Sequence, residues 1–262
     1  MKNAKDILEQ NKKGWNTVSH HFNGKDALPS YGPFAQTEDE LQLFENIKDK
    51  KVLEIGYGSG HSLRYMASKG ANELWGVDFS QSQKKAAEEL LTGLGPHLFC
   101  APMEKEIGLP KQYFDYVYSI YAIGWTIDLS TTFNLIYSYL KVGGTFIFSW
   151  DHPLYAHLHN ENGKIYLKES YQDEGIRVFE NFKGENVSMT IHRRKMATYI
   201  NELIKAGFQI DSVIESDVST CYKDEEEEIS DRYYSLYKAK NFPATMIIKA
   251  TKSVEEKWDH AR

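Results

Sequence analysis

Val52-Leu53-Glu54-Ile55-Gly56-Tyr57-Gly58-Ser59-Gly60 is an apolar run that ends in three glycines at alternate positions. Val52–Ile55 reads as a buried strand, and the glycines read as a tight turn whose missing Cβ atoms let a ligand touch the backbone. Ser62–Ser68 is expected to be helical, so the amides at the start of that helix would suit an anionic group. Glu54 stands near the end of the strand, where an unpaired carboxylate is costly. It therefore needs a donor or cationic partner: an ammonium would serve, as would a structural hydrogen bond. Asp78 ends the next predicted strand, 22 positions after Gly56. A carboxylate there either meets ribose hydroxyls or caps the helix that follows. The dinucleotide fingerprint would require a third glycine at position 61, which is His61. That substitution disfavours a nicotinamide or flavin site.

Outward from this stretch, short apolar runs alternate with amphipathic ones. Strands are predicted at 73–77, 98–100, 116–120 and 145–150, and helices at 81–91 and 129–140. Repeated β-α-β units imply a mostly parallel, doubly wound α/β sheet with helices on both faces and ligands at the carboxyl rim. Residues 1–36 read as a loose helix followed by an irregular Gly- and Pro-punctuated connection. Thr37 and Glu40 form a capping-box signature, from which a helix to about Ile47 is expected with Leu41, Phe44 and Ile47 inward. Residues 151–192 break the rhythm. Ile165–Leu167, Arg177–Phe179 and Val187–Ile191 are β-rich and separated by glycines, which predicts a small antiparallel insertion beside the rim. The β-α pattern resumes with a helix at 196–205, ended by Gly207, and strands at 208–215 and 244–249. The acidic run 225–228 reads as a solvated loop or helix start, and the tail after Lys252 has no evident core role. The whole chain, 1–262, is expected to be one domain.

The 262 residues carry a net charge of −6 and 13% aromatic residues, including 17 tyrosines. Nucleic-acid binding rests on phosphate neutralisation, so this charge balance argues against a DNA or RNA partner. Cys100 and Cys221 lack metal-ligand spacing and read as reduced thiols. No apolar run is long enough to span a bilayer, and the first residues lack a signal-peptide pattern, so a cytoplasmic protein with no membrane partner is expected.

The glycine loop Glu54–Gly60 resembles motif I of the class I S-adenosylmethionine methyltransferases, and Gly76-Val77-Asp78-Phe79-Ser80 resembles the ribose-binding motif after it. Leu109-Pro110 with Phe114-Asp115-Tyr116-Val117 is similar to the "LP…FD.V" signature of the type 11 methyltransferase domain. Leu140–Gly144 resembles its "LKPGG" turn, with Val142 in place of proline. His192-Arg193 and Asn201–Phe208 resemble the "HR…L..AGF" element of bacterial members. The likeness runs over roughly residues 40–250. It implies a Rossmann-like fold, S-adenosyl-L-methionine as cofactor and S-adenosyl-L-homocysteine as product. By position it implies that Glu54 holds the methionyl amino group, while the loop of Ile55, Gly56, Tyr57, Gly58, Ser59 and Gly60 cradles the cofactor. Asp78 would bind the ribose, and Phe79 would lie against the adenine. Pro102-Met103-Glu104 stands where the family usually has Asp-Ala-Glu; Pro102 cannot supply the usual carboxylate, but Met103 can pack against the base. Ser119 would lie near the methionyl end.

Several methyl-acceptor classes lack their residues here. Ser119-Ile120-Tyr121-Ala122 is not the Asp/Asn-Pro-Pro-aromatic turn of base amino-methylation, neither cysteine follows a proline, and Asp128 has no companion for a metal site. A small-molecule acceptor is expected and no metal. Macromolecular substrates, or cofactor binding without catalysis, are the alternatives. Tyr31, Tyr121, Trp125, Trp150, Asp151 and His152 are the candidates for the acceptor pocket. His152 reads either as a general base or as a hydrogen-bonded histidine of the turn before Pro153, and Trp125 as pocket or core.

Overall fold

The computed structural model describes residues 3–225, 229–230 and 232–253. The chain begins with α1 (Ala4–Val18), whose first turn is closed by a capping box between Asn3 and Asp6, followed by a 3₁₀ turn at Ser19–Phe22. Then come α2 (Glu38–Leu41), β1 (Lys51–Ile55), α3 (His61–Ser68), β2 (Glu73–Asp78), α4 (Gln81–Leu90), β3 (His97–Cys100) and β4 (Phe114–Ile120). α5 (Leu129–Tyr139) leads into the long β5 (Leu140–Asp151). β6 (Leu158–Glu161), β7 (Lys164–Leu167), β8 (Gly175–Phe179) and β9 (Met189–Arg193) follow, then α6 (Met196–Ala206), β10 (Phe208–Glu215), α7 (Leu236–Ala239) and β11 (Thr245–Lys252).

Seven strands form one sheet in the order β10-β11-β5-β4-β1-β2-β3. β1 to β5 run parallel, while β11 pairs antiparallel with both β5 and β10. Because the order reverses between β1 and β4, the loops leaving these strands diverge and open a crevice at their carboxyl ends. Each sheet face is closed by its own apolar layer. Phe133, Ile136, Tyr199 and Leu203 from α5 and α6 cover one face, packing against Phe146 and Phe148. Leu63, Met66, Ala87 and Leu91 cover the other, together with Leu43, Phe44 and Ile47. The sheet is thus apolar on both sides, as a parallel sheet between helices requires. Among the described residues no helix is long and apolar enough to cross a membrane.

Two expectations are corrected in detail. The helix from Thr37 stops at Leu41 rather than Ile47, although its capping box forms. Gln42 turns left-handed at φ +50°, and the buried Glu38 carboxylate accepts from the amides of Leu43 (3.1 Å) and Phe44 (2.9 Å). A side chain therefore satisfies the amides that another helical turn would have used. Within 151–192 the antiparallel strands form two hairpins, β6–β7 and β8–β9, of which β6 is additional to those anticipated. Residues 226–228 of the acidic run and 254–262 of the tail lie outside the described residues.

The amino-terminal helix is held to this insertion. The Asn11 side chain donates to the Thr190 carbonyl (2.7 Å) and accepts from the Thr190 amide (2.8 Å), extending the β9 edge with an amide that mimics a strand. Gly14 faces Met189 so closely that a Cβ there would lie 1.8 Å from its sulfur.

Candidate active site

A cavity of about 780 Å³ opens at the carboxyl ends of β1, β2, β4 and β5. Its floor is the glycine loop. Gly56 (φ +79°) turns the chain out of β1, and an added Cβ there would meet the Ala122 Cβ at 2.2 Å. Gly58 (φ +53°) is different: nothing stands within 4 Å of where its Cβ would be, so its bare backbone faces open space. The Asp78 carboxylate fastens this loop to the end of β2, accepting from the amides of Gly58 (2.9 Å) and Ser80 (2.8 Å). Ser80, not Asp78, caps α4.

Glu54 is almost fully buried, yet it reaches the cavity wall. Tyr118 Oη donates to it at 3.3 Å, and burial holds its carboxyl well above the usual range. Asp78 is raised to about 6, again by burial, against the lowering effect of the Ser80, Gly58 and Phe79 amides. Two recessed carboxylates of raised pKa beside an open glycine cradle are a site made for a ligand with hydrogen-bond donors and positive charge.

Of the positions expected to meet the cofactor, Glu54, Gly56, Tyr57, Gly58, Ser59, Asp78, Phe79, Pro102, Met103 and Glu104 line the cavity. Ile55, Gly60 and Ser119 do not. Ile55 alternates away from Glu54 into the core, and Gly60 packs against Ala87 of α4 and Leu91 just after it. Ser119 is wholly buried because its hydroxyl donates to the Ile55 carbonyl at 2.8 Å, tying β4 to β1. Glu104 accepts from the Ile127 amide (3.3 Å), so it braces the loop after β4.

The acceptor candidates separate in the same way. Tyr121, Trp125, Trp150 and Asp151 line the cavity, whereas Tyr31 and His152 do not. Tyr31 is buried with the sheet core, and its hydroxyl donates to Glu38 at 2.5 Å. His152 Nε2 lies 2.9 Å from Glu215, while Nδ1 accepts from the Leu154 amide at 3.2 Å. One ring nitrogen is thus committed to the turn and the other to Glu215 of β10, and burial lowers the histidine's pKa despite Glu215. It is a turn residue and not a base at the cavity. Trp125 belongs to both readings: it packs on the core and also faces the lumen.

Sequence reasoning missed Trp15, Phe22, Asp26, Phe182, Tyr233 and Tyr234, all of which line the cavity. The high aromatic content was the trace of the five aromatic residues, and Asp26 left none. Trp15 meets Trp125 edge-on (centroids 5.0 Å, 83°), and Phe182 meets Trp125 at 5.8 Å. The amino-terminal helix, the loop after β4 and the insertion therefore converge in one aromatic seam over the cavity. Beside it, His20, His21 and Glu185 bring potential ligand atoms within 4.8 Å of one another.

A family profile described as a methyltransferase domain, of type 11, matches residues 53–148. An uncharacterized protein of Haemophilus influenzae is 32% identical over 190 residues, covering 67% of this chain and 73% of that protein. A sterol 24-C-methyltransferase of Neurospora crassa is 30% identical over 152 residues, 56% of this chain and 39% of that enzyme. The crystal structure of an S-adenosylmethionine-dependent methyltransferase from Mesorhizobium loti shares the fold, with TM-score 0.67, 24% identity, and coverage of 80% of this chain and 94% of that one. The chain belongs to the class I S-adenosylmethionine-dependent methyltransferases. Its cofactor is S-adenosyl-L-methionine, and the cavity floor fits that group: a buried carboxylate at Glu54 for an ammonium, and a Cβ-free cradle at Gly58.

The raised Asp78 carboxyl gives a pH dependence with a definite sign. Hydroxyl donors from a bound ligand favour the ionised carboxylate, so binding releases a proton and affinity rises as pH rises through about 6. The unliganded fold behaves oppositely, losing stability over the same rise because its own Asp78 pKa is elevated. S-adenosylhomocysteine affinity at pH 5 is expected to be about tenfold below that at pH 7.5, as one pKa unit below the apo value implies. Calorimetric titration at the two pH values checks this, and a flat profile contradicts it.

Proposed function

We propose that this protein methylates a free small molecule, held between the cofactor and a roof made by residues 1–36 and the 151–192 insertion. The observation that carries the reading is the continuous cavity, whose volume of about 780 Å³ is in the range of small-molecule sites. Its far wall is built from aromatic side chains of three separate segments. The assignment of Glu54, Gly58 and Asp78 to the methionyl, backbone-cradling and ribose contacts belongs to the same proposal.

When bound, S-adenosylmethionine supplies a methyl group already activated on a sulfonium. What the chain must add is alignment and the exclusion of water. Glu54 and Asp78 fix one end of the cavity. The Trp15–Trp125–Phe182 seam closes the other, and the connecting segments that carry Trp125 and Phe182 can part to admit an acceptor as active-site lids do. The net charge of −6 supports a small acceptor over a nucleic acid. A sterol-methylating relative is consistent with an apolar-walled pocket, although this chain spans only 39% of that enzyme.

The test is incubation with S-adenosylmethionine and a low-molecular-weight metabolite extract. The expected outcome is a product heavier by one methyl group, formed together with S-adenosylhomocysteine. With the acceptor in hand, Trp125→Ala is expected to cut turnover at least tenfold while S-adenosylhomocysteine affinity stays within about twofold, since a misplaced acceptor alone costs that much. Parallel losses of melting temperature, affinity and turnover would show instead that Trp125 serves the fold.

A further inference from the structure

The cavity has a second acidic end, remote in sequence from the cofactor loop. Asp151, the last residue of β5, lies at the lumen and receives three phenols: Tyr121 Oη (3.1 Å), Tyr234 Oη (2.5 Å) and Tyr233 Oη (3.2 Å). Asp26 also lines this wall and is close enough for its charge and that of Asp151 to repel. Among the described residues no hydrogen-bond donor reaches the Asp26 carboxylate. Burial and Asp151 together raise it to about 6, against Lys183 and Lys25. With the O–H of each phenol directed at Asp151, what the tyrosines still offer the lumen is oxygen lone pairs and ring faces. This wall is rich in acceptors; the cationic side chains that also line the cavity, Lys25, Arg177 and Lys183, make no hydrogen bond to either carboxylate among the described residues.

The backbone supports the same point. Asp26 (φ +46°) and Tyr121 (φ +52°) are both left-handed, a conformation that is costly for tyrosine and persists where the surroundings enforce it. Gly32 makes room for the Tyr121 ring: a Cβ on Gly32 would lie 2.1 Å from the ring's Cε2 atom. Tyr121 Oη also bonds Thr245 Oγ1 at 2.9 Å, so the phenol is fixed from two sides.

We propose that the Asp26–Asp151 wall, with the rings of Tyr121, Tyr233, Tyr234 and Trp150, recognises a cationic amine, making the methyl acceptor an amine. This rests on the small-molecule reading above. An ammonium offers the donors that Asp26 lacks and gains cation–π attraction from the surrounding rings. Asp26 would take one proton from the ammonium; the freed nitrogen lone pair would form the N–CH3 bond as the S–CH3 bond of the sulfonium breaks, leaving S-adenosylhomocysteine as the neutral thioether and a methylated ammonium as product. The cations nearby act on these carboxylates by charge alone: Lys183 and Lys25 on Asp26, and Lys238 on Asp151. Lys25 and Lys183 are exposed and screened by solvent. Arg177 lies over the Phe179 ring at 4.8 Å. Lys238 is buried behind Tyr233 and Tyr155, donating to the Leu158 carbonyl at 3.2 Å.

The experiment uses the full chain saturated with S-adenosylhomocysteine and three probes of matched shape: 2-phenylethylamine, 2-phenylethanol and phenylacetate. Binding at pH 7 is followed by quenching of tryptophan fluorescence, since Trp15, Trp125 and Trp150 line the cavity. The amine is expected to bind at least tenfold more tightly than the alcohol, and phenylacetate most weakly. Asp26→Asn, which keeps the left-handed backbone accessible, should shrink the amine preference to threefold or less. Asp151→Asn should do the same, and its S-adenosylhomocysteine titration reports whether that variant is folded. If the alcohol or the carboxylate matches the amine, the amine assignment is overturned and the small-molecule reading stands. An amine preference that survives Asp26→Asn also overturns it. If no probe binds while S-adenosylhomocysteine does, both readings are overturned.

Discussion

Asp78→Ala is expected to weaken S-adenosylhomocysteine binding by roughly 10- to 150-fold. Charge-assisted hydrogen bonds to hydroxyl donors contribute about 1.5–3 kcal/mol, and each 1.4 kcal/mol is a factor of ten. The side chain has a second task, because it accepts from the Gly58 and Ser80 amides and so holds the loop in place. Asp78→Asn removes the charge and keeps only one accepting oxygen, where Asp78 uses Oδ2 for Gly58 and Oδ1 for Ser80, so it should show an intermediate loss and lose the pH dependence near 6. Calorimetry on both variants decides the matter. Affinity undiminished in Asp78→Ala would sink the assignment of this carboxylate to the cofactor.

The second large effect concerns two glycines that look equivalent in the sequence. Gly56→Ala would place a methyl group 2.2 Å from the Ala122 Cβ, at a backbone φ of +79°. Left-handed strain of about 1–2 kcal/mol and overpacking of about 1–3 kcal/mol together predict a loss of about 2–5 kcal/mol and a melting temperature lower by several degrees. Gly58→Ala carries the same class of strain at φ +53° but meets no protein atom within 4 Å. Its methyl group enters the cavity instead. The expected result is a smaller loss of stability with a severe loss of S-adenosylhomocysteine affinity. Thermal melts and titrations on the pair check this. Equal melting temperatures for the two variants would mean that Gly56 does not bear the close contact with Ala122.

The sheet and its ligand rim were legible because they depend on local pattern. β1, β2, β4 and β5 each announce themselves as apolar runs, and the α/β alternation requires right-handed crossovers that align their carboxyl ends. The glycine spacing, Glu54 and Asp78 follow from the same chain-local geometry, since each ends a strand whose direction is already set. Where a residue sits within an alternating strand was less secure. Ile55 and Ser119 were drawn to the site by their neighbours in sequence, yet they point into the core, because successive residues of a strand face opposite sides.

Tertiary structure alone decided the rest. Glu38 ends its helix after one turn because its carboxylate finds the Leu43 and Phe44 amides and the Tyr31 phenol, which no helical period encodes. Tyr31 thereby leaves the pocket for the core, and His152 leaves it for Glu215, 63 positions away. The acidic wall joins Asp26 and Tyr121 to Asp151, Tyr233 and Tyr234, and the seam joins Trp15, Trp125 and Phe182. The wall forms where the ends of β4 and β5 meet the segment of Tyr233 and Tyr234, and the seam closes where α1 docks on β9 through Asn11 and Gly14. Sequence alone determined a methyltransferase fold and the glycine loop that floors its cavity, since both follow from strand ends and a turn. The acceptor side is made of long-range contacts between irregular segments, and their chemistry exists only once the chain has folded.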